Sequence, residues 1–175
     1  MTQGKNSQHI WKVLFFLYVL FLIFGVMIKF TGDFSALYNR VHLIEHNRQM
    51  GVWNMNLTLF DSILRYWNKI GRLYQFICLV GNVIAFVPLG YLLPRVFRRC
   101  RSLPVIFSYC FVIILGIETF QLVSMLGYFD VDDILLNMTG SLLGYALFWL
   151  QGVLLGLRGW VAACRVKSAV GAVLK

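Results

Sequence analysis

Four long apolar blocks, a low charge density and basic residues gathered beside those blocks predict an all-α fold. The expected architecture is a multi-pass helical membrane protein: a bundle of four transmembrane helices with a short interfacial helix in its first outer loop. Hydrophobic residues make up 59% of the 175 and charged residues only 13%, against about a quarter charged in a soluble domain. About twenty consecutive apolar residues cross the hydrocarbon core, and Trp11–Phe30, Leu73–Leu93, Leu103–Leu126 and Val131–Leu155 each reach that length. Sixteen basic against seven acidic residues would suggest nucleic acid as a partner of a soluble protein. Here the basic residues flank the spans as topology determinants, so the expected partner is the lipid bilayer and not nucleic acid.

The first block follows Lys5 and Lys12 and resembles a signal peptide at its start. Its uncharged stretch Val13–Ile28 is too long for that, and Lys29-Phe30-Thr31 offers no small-residue cleavage pattern. An uncleaved anchor is expected. A polar loop over 31–72 follows, in which Leu57, Phe60, Ile63, Leu64 and Trp67 recur at helical spacing between Asp61, Arg65, Asn68 and Lys69. That pattern suits a helix lying in the headgroup region or one packed over the mouth of the bundle. Lys5 and Lys12, the Arg95–Arg101 link and the tail carrying Arg158, Arg165, Lys167 and Lys175 fall on one side of a four-span protein. The positive-inside rule makes that side cytoplasmic. The result is a cytoplasmic tail over 1–10, a transmembrane domain over 11–155 and a basic cytoplasmic tail over 156–175 in a cell membrane. Arg40, Arg48, Arg65, Lys69 and Arg72 in the outer loop run against this orientation. Cys78, Cys100, Cys110 and Cys164 are scattered and read as free thiols rather than a disulfide framework.

The spans are interrupted by few polar groups, and those few converge. A helix rises roughly 1.5 Å per residue, so Asn82 sits roughly 14 Å below the outer end of the second span. Glu118 and Gln121 approach the outer surface at the end of the third span, and Asp130, Asp133 and Asn137 open the fourth. Ionisable groups inside spans are costly and mark functional sites by default. Faces agree as well as depths: Glu118 and Gln121 are three apart, Asp133, Asn137 and Ser141 four apart, and Asn82, Phe86 and Gly90 share a face. Gly140 and Gly144, with Gly81 and Ala85, would let the helices approach closely. Pro88 should free a carbonyl near residue 84. Asn82, Gln121 and Asn137 could equally be interhelical glue, satisfying one another and nothing else. Glu118 is a costly way to join helices, and Arg72 is a possible partner for it. Asp130 and Asp132 read as solvated turn residues, one of them capping the fourth helix, which leaves Asp133 the better functional group.

These residues, in order, resemble the VanZ-like family of bacterial membrane proteins. Asn56-Leu57-Thr58-Leu59-Phe60-Asp61-Ser62-Ile63 is similar to that family's Asn-Leu-x-Pro-Phe-x-x-Ile. Asn82 through Phe86, Pro88 and Gly90 fits its Asn-x-x-x-Phe-x-Pro-x-Gly, and Glu118 with Gln121 its Glu-x-x-Gln. Phe129-Asp130-Val131-Asp132-Asp133, then Asn137, Gly140 and Gly144, fits its Phe-Asp-x-x-Asp-x-x-x-Asn-x-x-Gly-x-x-x-Gly. The resemblance runs from about Asn56 to Phe148. Leu59 replaces the family's usual proline. Gly127 and Tyr128 stand where many members carry an arginine, so a role for that arginine does not transfer. The resemblance implies resistance to glycopeptide antibiotics, chiefly teicoplanin and lipidated relatives, but no established reaction and no known cofactor.

Three functions fit. In the first, an outward-facing polar cleft formed by Asn82, Glu118, Gln121, Asp130, Asp133 and Asn137 binds a lipid-linked or amphiphilic ligand, such as a cell-wall lipid precursor or a lipoglycopeptide. In the second, a membrane-embedded enzyme uses Glu118 and Asp133 as acid and base, or as ligands of a divalent metal, to modify an envelope lipid. The third, a small transporter, would need oligomerisation. His42-Leu43-Ile44-Glu45-His46 matches the inverted zinc-peptidase spacing, but it lacks a third ligand and reads as polar loop. No metal site is assigned.

Overall fold

The computed structural model describes residues 2–27, 34–67 and 73–173, with side chains over 8–25, 34–65 and 79–156. Helix α1 (Thr2–Phe21) continues as a π-helical turn over Leu22–Met27. The first loop holds α2 (Phe34–Gln49), a two-residue strand β1 (Met55–Asn56) and α3 (Asp61–Trp67). Then come α4 (Leu73–Val96), a 3-10 turn (Arg98–Arg101), α5 (Leu103–Ser124), a second short strand β2 (Phe129–Asp130) and α6 (Val131–Val173). Among the described residues four stretches are long and apolar enough to cross a membrane: Gln8–Gly25, Leu79–Val96, Leu103–Ser124 and Val131–Gly156. They coincide with the four apolar blocks of the sequence, and the protein is an all-α membrane protein.

The most extensive helix contact joins α4 to α6, and glycine makes it possible. A Cβ at Gly140 would lie 2.0 Å from the carbonyl oxygen of Val83, one at Gly144 1.9 Å from that of Val87, and one at Gly90 1.7 Å from that of Ser141. No side chain fits there unless the backbones separate, so the spacing Gly140-x-x-x-Gly144 works as a contact face. The contacts advance in the same direction along both helices, which therefore run parallel. Gly81 does not share this role: it meets open space, because Asn82 beside it is the residue that reaches α6. Helix α1 runs antiparallel to α4, with Trp11 edge-on to Tyr91 and the Tyr18 hydroxyl donating to Ala85 O at 2.9 Å. That bond lies one residue beyond the position where Pro88, inside α4, was expected to free a carbonyl.

The core between helices is apolar where they cross: Phe86, Leu89, Leu93, Ile106 and Ile114 are buried, with free Cys100 and Cys110 among them. Leu14, Phe16, Val112, Val123, Leu143 and Leu150 point outward and are exposed, as lipid-facing positions should be. Hydroxyls inside the spans are satisfied locally. Ser108, Thr119, Ser124, Thr139 and Ser141 each donate to the carbonyl four residues earlier, which removes the cost of carrying them into hydrocarbon.

The first loop departs from expectation in two ways. Helix α2 carries no strong apolar face and was not foreseen. The amphipathic helix starts only at Asp61, because Phe60 takes a left-handed conformation with φ 65°. Leu57 and Phe60 thus precede it, and Lys69 lies outside the described residues.

Candidate functional site

The loop folds back onto the link between α5 and α6. Strands β1 and β2 pair in parallel, Met55 opposite Phe129 and Asn56 opposite Asp130. Beyond β1, Asp132 fastens the start of α3. Its Oδ1 accepts from the backbone N–H of Phe60 at 2.6 Å, and its Oδ2 from those of Ser62 and Ile63 at 2.8 and 3.1 Å. The first N–H groups of a helix have no intrahelical acceptor, and here a carboxylate from the far side of the chain supplies it. Asp132 is 0% exposed, so this is not a solvated turn residue.

Asp130 plays the capping part expected of it. Its Oδ1 accepts from the N–H of Asp132 at 2.9 Å at the start of α6. Its Oδ2 accepts from the Ser62 hydroxyl at 2.5 Å and from Asn56 Nδ2 at 3.5 Å. Its own N–H donates to Glu118 Oε2 at 3.3 Å. Glu118 is thereby joined to the acidic turn from α5, and it is 2% exposed, with Gln121 at 0% beside it. On α4, Asn82 Nδ2 donates to Asp133 Oδ1 at 2.5 Å. One turn along α6, Asn137 is 1% exposed, and its Oδ1 is buried without a hydrogen-bond donor among the described residues. All six residues singled out from the sequence therefore lie at one end of the bundle, here termed the acidic end. Hydrogen bonds join Glu118 to Asp130 and Asn82 to Asp133 within this group. The side chain of Arg72, the expected partner of Glu118, lies outside the described residues.

Helix α5 ends in a left-handed residue, Met125 (φ 58°), with Gly127 N–H reaching back to Gln121 O. The carbonyls this leaves are met from the first loop. Arg48 Nη2 and Asn54 Nδ2 donate to Leu122 O at 2.5 and 3.3 Å, and Arg40 Nη1 donates to Leu126 O at 3.2 Å. Asn54, 2% exposed, also donates to Gly127 O and accepts two bonds from Arg48. Cations at a helix C-terminus meet its negative dipole end. Two of the arginines that ran against the expected orientation thus have a structural occupation.

A family model described as VanZ/LLP1 matches residues 15–154. The chain belongs to the VanZ/LLP1 family. It is also similar to Protein VanZ of Enterococcus faecium, at 29% identity over 135 residues, covering 77% of this chain and 71% of that protein. No solved structure matches.

The structure gives physical content to the VanZ-like motifs. The Asn56–Ile63 motif is the segment that Asp130 and Asp132 hold. The glycines of the last motif are the face against α4. Asp132 and Asn54 are the residues that sequence reasoning missed as site components. Nothing local separates Asp132 from Asp130 and Asp133, since its partners lie about seventy residues upstream. His42 and Glu45 sit on α2, half exposed, 3.8 Å apart, and His42 packs against Tyr38. Among the described residues no group of three or more His, Cys, Asp and Glu side chains is placed to hold a metal ion.

Proposed function

We propose that this VanZ-like protein contributes to glycopeptide resistance, teicoplanin in particular, through its acidic end. That end faces the cell exterior and binds a lipid-linked or amphiphilic ligand of the envelope. The observation that carries the reading is the Asn137 amide oxygen, buried without a donor among the described residues, in the same end of the bundle as buried Glu118 and Gln121. A buried acceptor without a partner costs about 1–3 kcal/mol, a cost that a ligand donating from a hydroxyl, amine or amide would remove. Carboxylates and amide oxygens dominate this end, so the matching group on the ligand is rich in donors. The ligand's apolar part would remain in the surrounding bilayer. The family membership supports the link to resistance, and the basic Arg98–Arg101 link at the opposite end supports the orientation.

The test is expression of Glu118→Gln, Asp133→Asn and Asn137→Ala in a teicoplanin-susceptible host, with membrane abundance monitored. Loss of protection at unchanged abundance is expected for each. Wild-type protection in all three would return these side chains to a purely structural role. A mass change in an envelope lipid that depends on Glu118 would replace binding with catalysis.

A further inference from the structure

At the opposite end, here the arginine end, a second polar group lies inside the bundle. Arg95, in the last turn of α4, turns its guanidinium into a cage of rings from three helices. Its Cζ stands 4.0 Å from the Trp11 ring centroid, 4.3 Å from that of Tyr91 and 5.7 Å from that of Phe148. Its Nη2 donates to the Tyr91 hydroxyl at 2.7 Å and to Gln151 Oε1. Its Nε is buried without an acceptor. Among the described residues no carboxylate forms an ion pair with it. Among the described residues the charge is therefore held by ring quadrupoles and two neutral oxygens, with no carboxylate against it.

Running from this cage is an open groove of about 670 Å³ between α1, α4 and α6, floored by Leu14, Val87, Pro88, Leu147, Leu150 and Leu154. Trp11, Tyr91 and Gln151, the neighbours of Arg95, close its polar end. Depth fixes what can enter. From Val131, where α6 enters the membrane, to Gln151 is roughly 30 Å of helix, the thickness of the hydrocarbon core. The polar end of the groove, with Leu150 and Leu154 beside it, is thus at headgroup level, and Leu14, Val87, Pro88 and Leu147 lie at acyl-chain level. Arg98, Arg99 and Arg101 lie exposed in the adjoining link, and the whole chain carries a net charge of +9.

We propose that this groove is a specific site for one anionic phospholipid, with an acyl chain along the α1–α4–α6 floor and the phosphate at Arg95. The apolar length, the headgroup-level depth and a guanidinium with no carboxylate against it among the described residues select a diacyl lipid with net negative charge over a zwitterionic one. This site is separate from the acidic end and does not depend on the function proposed for it.

Native mass spectrometry of the purified full-length protein, equilibrated with equal amounts of phosphatidylglycerol and phosphatidylcholine of identical chains, tests this. The wild type is expected to retain phosphatidylglycerol with about fivefold preference, the effect of one basic residue on an anionic lipid. Arg95→Gln should bring the ratio to about one, Leu147→Trp should reduce retention of both lipids by obstructing the floor, and exposed Arg98→Gln should leave the ratio as in wild type. No preference in the wild type, an unchanged ratio in Arg95→Gln, or an equal loss in Arg98→Gln would overturn the site. Should Arg95→Gln not fold, the melting temperature of the wild type decides. Phosphatidylglycerol is expected to raise it, whereas phosphatidylcholine and soluble glycerol phosphate are not, and an equal rise with either control overturns the proposal.

Discussion

The two ends of the bundle bury charge in opposite ways. At the acidic end Asp132 is buried completely and accepts three backbone N–H bonds, and Asp130 and Glu118 take further N–H groups of the same turn. A carboxylate so supplied does not need a cation beside it. At the arginine end Arg95 has aromatic faces and two side-chain oxygens but no backbone acceptor. The first arrangement is specific in direction and holds a loop, a turn and two helix termini in register. The second tolerates exchange of partners. The acidic end is where the fold is fixed, and the arginine end is where an outside anion can substitute for what the protein lacks.

The largest expected effect breaks the first arrangement. Asp132→Ala leaves the N–H groups of Phe60, Ser62 and Ile63 without acceptors, and bonds to a charged group contribute about 1.5–3 kcal/mol each. A loss above roughly 3 kcal/mol is expected, together with proteolytic cleavage within 54–63 of the reconstituted protein. Arg95→Leu should cost far less, on the order of 1–2 kcal/mol. If the two variants melt together, the contrast between the ends is wrong.

The helix pair that connects the ends comes next. Gly144→Leu would place a side chain where even a Cβ is 1.9 Å from Val87 O. Because the obstacle is backbone, α4 and α6 must separate, at a cost of about 3 kcal/mol. Gly81→Leu, into open space, should change stability by under about 0.5 kcal/mol. Equal effects at the two glycines would mean that the helices do not meet along this face.

What can be read from sequence depends on how local each signal is. The four spans are legible because apolar blocks report on the bilayer, not on neighbouring helices. Gly140 and Gly144 are legible from spacing, and Glu118, Asn82 and Asn137 from their depth within apolar runs. Asp132 is not, because three nearly adjacent aspartates look alike until the loop near residue 60 docks on Asp130 and Asp132 and gives Asp132 its backbone N–H partners. Helix α2 is hidden by its polar composition, and Arg40 and Arg48 register only as a conflict in topology. They meet backbone carbonyls at the end of α5 and just beyond it, Leu122 O and Leu126 O, groups that carry no side-chain signature. Gly81 misleads for the converse reason: a small residue in a span permits a close approach without requiring one.

A smaller effect separates the two loop anchors at the acidic end. Asn54→Ala removes donors to Gly127 O and Leu122 O and the acceptor of Arg48, and should cost about 2 kcal/mol. Arg48→Met removes one donor from Leu122 O and both donors to Asn54 Oδ1, while Asn54 keeps its own bonds to Leu122 O and Gly127 O, and should cost about half as much. A reversed order would make the arginine, and hence its charge at the α5 terminus, the principal anchor.

The smallest expected effect asks whether the docked loop is held by backbone or by side chain. Phe60 adopts φ 65°, a left-handed conformation that costs a non-glycine residue about 1–2 kcal/mol. Its N–H is nevertheless held there by Asp132 Oδ1 at 2.6 Å. Phe60→Gly removes that strain at the expense of greater freedom in the unfolded chain, and the ring it deletes is 48% exposed. Asp132 would still grip the same N–H, so the change in stability should lie within about 1 kcal/mol of zero, on the favourable side. A loss beyond that, read from thermal melting in nanodiscs, would show the ring to be inserted among lipid or protein groups. The loop would then resemble the arginine end, held by an aromatic contact, and the carboxylate would be secondary.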